Sequence, residues 1–288
     1  MEALPNGDRT IRLPSLNCCV SFLKYSGLRR GAAPAYGRTI SDRYRCTISA
    51  SHGGSAGFRL RSATAAGALS PVGGAVVQDN GQPYEMAVDP TGKFLYVVDH
   101  ADYVVDGEMS VFSISSTGTL TEISGSPFSF HSGNNSEPSG IAMHPSGKFL
   151  YTGLTTVPTG IDGYAVNTQT GALSLISGAP WVSGGSGTNY LIMAPSGARL
   201  YASDPSGVNT FAIDPSSGAL TKQDALADAT GGPTWMVIDK AGKFLYAANP
   251  PFKNVSSYPI DPTTGNVTNP VNYPAGDDPG AMALVQWQ

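Results

Sequence analysis

Two patterns of apolar and polar positions alternate along most of the chain. In the first, a short apolar run meets a Pro-x-Gly or x-x-Gly turn, and a second apolar strand leaves through Phe-Leu-Tyr or a close variant. Met86-Ala87-Val88 leads into Asp89-Pro90-Thr91-Gly92-Lys93-Phe94-Leu95-Tyr96, and Ile141-Ala142-Met143 into His144-Pro145-Ser146-Gly147-Lys148-Phe149-Leu150-Tyr151. Leu191-Ile192-Met193 and Met236-Val237-Ile238 precede the turns ending in Arg199-Leu200-Tyr201 and Phe244-Leu245-Tyr246. Unbroken apolar runs predict inner strands buried on both faces, and the turn glycine supplies positive φ. The second pattern is an aromatic-x-aliphatic strand, a polar turn, and Gly-x-aliphatic. It occurs at Phe58-Arg59-Leu60 with Gly67, Phe112-Ser113-Ile114 with Gly118, and Tyr164-Ala165-Val166 with Gly171. Later copies are Phe211-Ala212-Ile213 with Gly218 and Tyr258-Pro259-Ile260 with Gly265. Period-two alternation around a glycine turn predicts an outer hairpin.

Each repeat therefore supplies four antiparallel strands, and the motif tyrosines are 55, 50 and 45 residues apart. Self-similarity at that period predicts an all-β fold, a β-propeller of four-stranded antiparallel blades, with about five blades' worth of sequence. Copies are unequal: five outer hairpins, four inner hairpins and one terminal apolar run, Met282-Ala283-Leu284-Val285. A strand over residues 281–286 is expected to join the outer hairpin at 58–77 in a composite blade, with Arg43 to Ile48 as its second strand. That clasp would close a small ring and remove two sheet edges.

Composition divides the chain. Residues 1–61 hold 10 Lys or Arg against 3 Asp or Glu, and the remainder 7 against 18, giving +7 and −11. The first part carries all the cysteines, Cys18, Cys19 and Cys46, at no metal-ligand spacing, so they read as free thiols. Residues 1–57 are expected to be a basic extension, disordered or foreign to the fold, and residues 58–288 the propeller. The net charge of −4 argues against nucleic acid, and no run approaches the length of a membrane span. A monomer that holds a small molecule is expected.

The recurrent Pro-Ser-Gly-Lys-Phe-Leu-Tyr turn and the turn Ile213-Asp214-Pro215-Ser216-Ser217-Gly218-Ala219-Leu220 resemble the lactonase-type propellers, which include phosphogluconolactonases and carboxymuconate lactonising enzymes. The resemblance implies a hydrolase that opens a sugar lactone such as 6-phosphogluconolactone. Family members usually have seven blades, so five blades' worth implies either a small closed ring or a truncated seven-bladed propeller. Enzyme members tend to carry Pro-Arg-His before an inner strand. Here those places read Gln82-Pro83-Tyr84-Glu85, Glu137-Pro138-Ser139-Gly140 and Gly232-Pro233-Thr234-Trp235, so no catalytic residue is carried over by motif.

In a propeller, the loops entering the inner strands and those joining second to third strands meet at one mouth of the channel, where small ligands bind. The first set offers Tyr84, Glu85, Glu137, Tyr190, Trp235 and Asp278 as ligand-binding candidates. The second set contains Asp99-His100-Ala101-Asp102, in a loop running to Glu108. Ester hydrolysis needs a base or a metal-bound water, so His100 is the candidate base, with Asp99 or Asp102 orienting it. A hard divalent cation on the same oxygens is the alternative; otherwise no cofactor or metal is expected. His144 sits in a repeated turn beside Asp89 and Asp239 and reads as a turn residue. The competing function is a binding propeller without catalysis, extracytoplasmic with its leader missing, whereas a lactonase would be cytoplasmic.

Overall fold

The computed structural model describes residues 37–39, 44–49, 57–63, 69–71, 77–78, 82–100, 107–130, 137–155, 160–183, 187–227, 232–276, 279–280, 282 and 284. They form five antiparallel sheets. The first contains β1 (Gly37–Thr39), β2 (Tyr44–Ser49) and β3 (Gly57–Ala63), with β4 (Leu69–Pro71) and β5 (Val77–Gln78) both on the outer side of β3. The second runs outward from β6 (Gln82–Val88) through β7 (Phe94–His100) to β8 (Glu108–Ile114). Its outer strand is split into β9 (Leu120–Glu122) and β10 (Phe128–Ser129), both paired with β8. The third contains β11 (Pro138–Met143), β12 (Phe149–Leu154), β13 (Gly160–Val166) and β14 (Leu173–Leu175). The fourth contains β15 (Tyr190–Met193), β16 (Arg199–Asp204), β17 (Gly207–Ile213) and β18 (Leu220–Ala227). The fifth contains β19 (Trp235–Ile238), β20 (Phe244–Asn249), β21 (Asn254–Pro259) and β22 (Val271–Pro274). Among the described residues no helix is long and apolar enough to cross a membrane.

One register runs through all five sheets. Leu95 faces Phe112, Leu150 faces Tyr164, Leu200 faces Phe211 and Leu245 faces Tyr258. In the first sheet Ile48 faces Phe58, so β2 occupies the second rung. β1 pairs with β2 on its inner side, at the rung where the C-terminal run had been expected. That edge of β2 is therefore taken. β1, β2 and the first residue of β3 lie within the stretch 1–57. Of the C-terminal run only Met282 and Leu284 are described, and the Met282 carbonyl accepts the Trp235 indole N–H at 3.2 Å. The cysteines at 18 and 19 lie outside the described residues.

The core is built in layers between sheets rather than as one interior. Ala87, Tyr96, Val98 and Met109 pack on Ile141, Leu150 and Tyr164; Tyr151 and Ile161 pack on Leu191, Leu200 and Phe211; Tyr190 and Tyr201 pack on Met236, Leu245 and Tyr258. Two contacts fix each layer. At the inner turns, glycine packs on the proline of the preceding sheet: a Cβ on Gly147 would lie 3.1 Å from Pro90 Cδ, and one on Gly197 3.3 Å from Pro145 Cδ.

At the outer turns, the Phe of Phe-Leu-Tyr lies over the turn glycine of the next sheet. A Cβ on Gly171 would sit 2.5 Å from Phe94 Cδ1, and one on Gly218 2.5 Å from Phe149 Cδ1. Two residues on, Tyr151 donates its hydroxyl to the Gly218 carbonyl at 2.7 Å, and Tyr201 donates to Gly265 at 2.7 Å. Where Arg199 replaces the Phe, its stem covers Gly265 and its guanidinium donates to the Thr264 carbonyl at 2.9 and 2.6 Å. Burial pushes the Tyr151 hydroxyl up from its ordinary value and that of Tyr201 up to about 12, so both remain donors. Tyr96 holds the same position but has no hydrogen-bond partner among the described residues. In the fifth sheet Phe244 is 39% exposed.

Gly218 combines a φ of +75° with this contact, so Gly218→Ala should cost about 2–4 kcal/mol in denaturant unfolding. Gly92, with φ +72° and nothing within 4 Å of its Cβ position, isolates the backbone part, and Gly92→Ala should cost only about 1–2 kcal/mol. Equal losses would show that the aromatic contact is unimportant.

His144 replaces the turn aspartates: its Nδ1 accepts the Ser146 backbone N–H at 3.1 Å, and its Nε2 lies 3.0 Å from the Gly197 carbonyl of the next sheet. Burial holds its pKa below the ordinary 6.5 despite that carbonyl. Its contribution to stability is therefore complete above the unfolded value and lost as pH falls from there through the folded one. His144→Asn should flatten the decline in Tm between about pH 7 and pH 5; an unchanged slope would exclude His144 as the source.

Candidate active site at the channel mouth

The register turns scattered candidates into one rung. Counting back along the inner strands from the partners of Tyr96, Tyr151, Tyr201 and Tyr246 makes Glu85, Gly140, Tyr190 and Trp235 equivalent positions on β6, β11, β15 and β19. All four lie at the end where strands enter from the mouth. Successive members touch across sheets. Glu85 Oε2 accepts the Ile141 backbone N–H at 2.9 Å and lies 3.1 Å from where a Gly140 Cβ would stand. That same position is 3.8 Å from Tyr190 Cα. The Tyr190 and Trp235 rings pack with centroids 4.8 Å apart, tilted by 35°.

The Ile141 N–H has a particular orientation. His144 N–H bonds Phe149 in β12, and bonding alternates along an antiparallel pair, so Ile141, opposite Thr152, turns its N–H away from β12 toward the channel. Glu85 thus caps a donor on the inner edge of the neighbouring sheet. Its own strand is irregular here, with register shifts between Pro83 and Glu85 in β6 and between Pro138 and Gly140 in β11. Bulges re-aim side chains in this way.

Tyr84 is half-buried next to Glu85; burial first, then the Glu85 charge, raises its pKa and keeps it a hydroxyl donor. Glu137 precedes β11, where the Thr155 hydroxyl donates to its backbone carbonyl at 3.2 Å and to its carboxylate at 3.4 Å. Asp99 is 1% exposed and accepts the Ser110 hydroxyl at 3.1 Å, inside the sheet between β7 and β8. Its neighbour His100 ends β7; the His100 side chain, Asp102 and Asp278 lie outside the described residues. Among the described residues, no group of three or more His, Cys, Asp or Glu gathers as metal ligands would.

Asp99 belongs to a series that sequence reading did not group. In the second to fifth sheets, two residues before each third-strand aromatic, and three after each motif tyrosine except Tyr151, where Leu154 stands, polar side chains are buried at the mouth. Asn209 donates to Asp204 at 2.8 Å, Asn249 to Ser256 at 2.7 Å, and Ser110 to Asp99. Asp162 takes the corresponding third-strand place in β13, with the Tyr164 hydroxyl 3.4 Å away. The fixed offsets from Tyr and from the aromatic were the available signal.

Comparison with known proteins agrees with this architecture. The family described as "Lactonase, 7-bladed beta-propeller" matches residues 46–154 and 151–273, and the chain belongs to that family. A 6-phosphogluconolactonase of Yersinia pestis is 25% identical over 202 residues, 68% of this chain and 58% of that protein. One from Xenorhabdus nematophila is 36% identical over 81 residues, 28% of this chain and 24% of that protein. The chain thus spans less than two thirds of the length of these relatives. Among solved structures, a Bacteroides uniformis protein provisionally named a 6-phosphogluconolactonase superposes with TM-score 0.72 at 18% identity, covering 92% of this chain and 81% of the other. The Pseudomonas aeruginosa periplasmic gluconolactonase gives 0.51 at 16% identity, covering 90% and 92%. At these identities the superpositions establish the fold alone.

Glu85→Gln keeps an acceptor for Ile141 N–H, whereas Glu85→Ala orphans it, so the alanine variant should be less stable than the glutamine one by about 1–3 kcal/mol in chemical denaturation. Indistinguishable variants would mean that the cap does not hold β6 to β11.

Proposed function

We propose that this lactonase-family propeller binds a sugar lactone at its channel mouth and opens the ring ester by hydrolysis. The observation that carries the reading is the rung of Glu85, Gly140, Tyr190 and Trp235 on successive inner strands, which sets a carboxylate and an aromatic pair at the same level of the channel wall. The partly exposed Trp235, backed by the buried Tyr190, offers an apolar face to the C–H side of a sugar ring. Glu137 and the Tyr84 hydroxyl offer hydrogen bonds to its hydroxyl groups, and the buried Glu85 carboxylate lies behind them on Ile141 N–H.

In the reaction, water adds to the lactone carbonyl carbon as a base removes its proton. The acyl C–O bond of the ring breaks, the ring oxygen takes up a proton, and the product acid ionises. His100, at the mouth end of β7, is the base in this reading, because imidazole accepts a proton near neutral pH. Asp99 supports the strand that carries it through its bond with Ser110 rather than reaching substrate, and Asp102 is left as the carboxylate in the adjoining loop. A second reading, ligand binding without turnover, is favoured by that same engagement of Asp99, which removes one carboxylate from the catalytic set.

Acid release from D-glucono-1,5-lactone by the full chain tests the proposal. His100→Ala should lower kcat by on the order of 100-fold or more, and Trp235→Ala should raise KM with a smaller effect on kcat. Hydrolysis no faster than the spontaneous reaction, from folded protein, would leave the binding reading.

A further inference from the structure

We propose that the mouth selects an uncharged lactone and discriminates against its phosphate ester. This rests on the reading of the mouth as a lactone site and names the substrate class that the site accepts.

Charge is divided unevenly between the two ends of the propeller: the far end mixes cations with the turn carboxylates Asp89, Asp214, Asp239 and Asp261, and the mouth end is mainly acidic. Inner-hairpin turns carry Lys93, Lys148, Lys240 and Lys243, with Arg199 just beyond its turn, all at the end away from the mouth. The mouth end carries Glu85, Asp99, Glu108, Glu137, Asp162 and Asp204 among the described residues, against Lys253 and the Lys222 ammonium, which is bound to the Ser183 carbonyl. In sequence, residues 50–56, 79–81, 101–106, 131–136, 156–159, 184–186, 228–231 and 277–278 contain no lysine or arginine, whereas residues 1–36, which precede β1, carry Arg9, Arg12, Lys24, Arg29 and Arg30.

Phosphate recognition relies on Arg or Lys side chains and on convergent backbone N–H groups. Of the N–H groups that the inner strands turn toward the channel, that of Ile141 is already occupied by the protein's own carboxylate, Glu85. A phosphate dianion there would meet a like charge where it needs a donor. The partly exposed Trp235, stacked on the buried Tyr190, by contrast suits the uncharged face of a sugar ring. The same polarity favours turnover of a neutral substrate: hydrolysis converts it into a carboxylate, which the mouth repels, and release is assisted rather than opposed.

The test compares kcat/KM of the full chain for D-glucono-1,5-lactone and its 6-phosphate at low and high salt. The neutral lactone should be preferred at least about tenfold at low ionic strength, with the gap narrowing as salt shortens the Debye length. Glu137→Gln should narrow it further at low salt. Equal or faster turnover of the phosphate ester at low salt would overturn the proposal. If neither lactone is hydrolysed, the hydrolase reading fails separately, and charge selection is read from tryptophan fluorescence with D-glucose and D-glucose 6-phosphate. Weaker binding of the phosphate, recovered by salt, upholds the selection; equal or tighter binding, or no binding of either sugar, overturns it.

Discussion

The structure depends on an aromatic ring lying on a glycine of the next sheet. Phe94 on Gly171 and Phe149 on Gly218 each occupy space that any Cβ would fill, and Arg199 does the same at Gly265 with its aliphatic stem. The glycines have positive φ, so turn geometry and close packing demand the same residue. The tyrosine two positions along adds direction, because its hydroxyl reaches the carbonyl of that glycine only when the sheets are correctly rotated. A sheet with one layer of neighbours on either face has no interior of its own, so angular placement sets which core side chains meet.

That latch explains what the sequence made visible and what it concealed. Strands, turns and the five repeats were legible, since each is written in adjacent residues: the apolar run, the turn, Phe-Leu-Tyr. The partner of each tyrosine was not, because Tyr151 and Gly218 lie 67 positions apart and belong to different motifs. Arg199 shows the difficulty plainly. It breaks the Phe pattern in sequence yet preserves the function of that position, replacing ring area with a methylene stem and hydrogen bonds to Thr264. The first sheet deviates further: its register sets Thr47 and Ser49 at the rungs that Phe149 and Tyr151 hold in the third, so β2 lacked the signature that marks a second strand elsewhere.

The site was legible as a set of loops but not as a rung. Tyr84, Glu85, Tyr190 and Trp235 could be named from their place before inner strands, whereas the equivalence of Glu85, Gly140, Tyr190 and Trp235 follows only once the pairing of each tyrosine is known. Gly140 was overlooked entirely. Its missing side chain is what lets the Glu85 carboxylate approach the neighbouring sheet. Asp99 reads differently for a related reason: an acidic loop residue in sequence is, in the fold, one of several buried polar side chains tied to third strands, beside Asp204 with Asn209 and Asn249 with Ser256.

These buried pairs and the bulges divide the labour between the two ends of each sheet. Away from the mouth, turn residues satisfy their own backbone: Asp239 accepts the N–H groups of Lys243 and Phe244 at 2.6 and 2.7 Å, and Asp214 and Asp261 accept comparable donors that hold their carboxyls below the usual range. Local bonding of this kind leaves little capacity for a ligand. At the mouth, side chains at the ends of second and third strands bond each other across the sheet, while bulges in β6 and β11 free the inner strands from strict pairing. An inner strand released there, on a scaffold clamped at its other end, can present a carboxylate sideways without loosening the sheet. Placing a functional group at such a release point, with rigid pairs behind it, satisfies both the precision a site needs and the packing the repeats require.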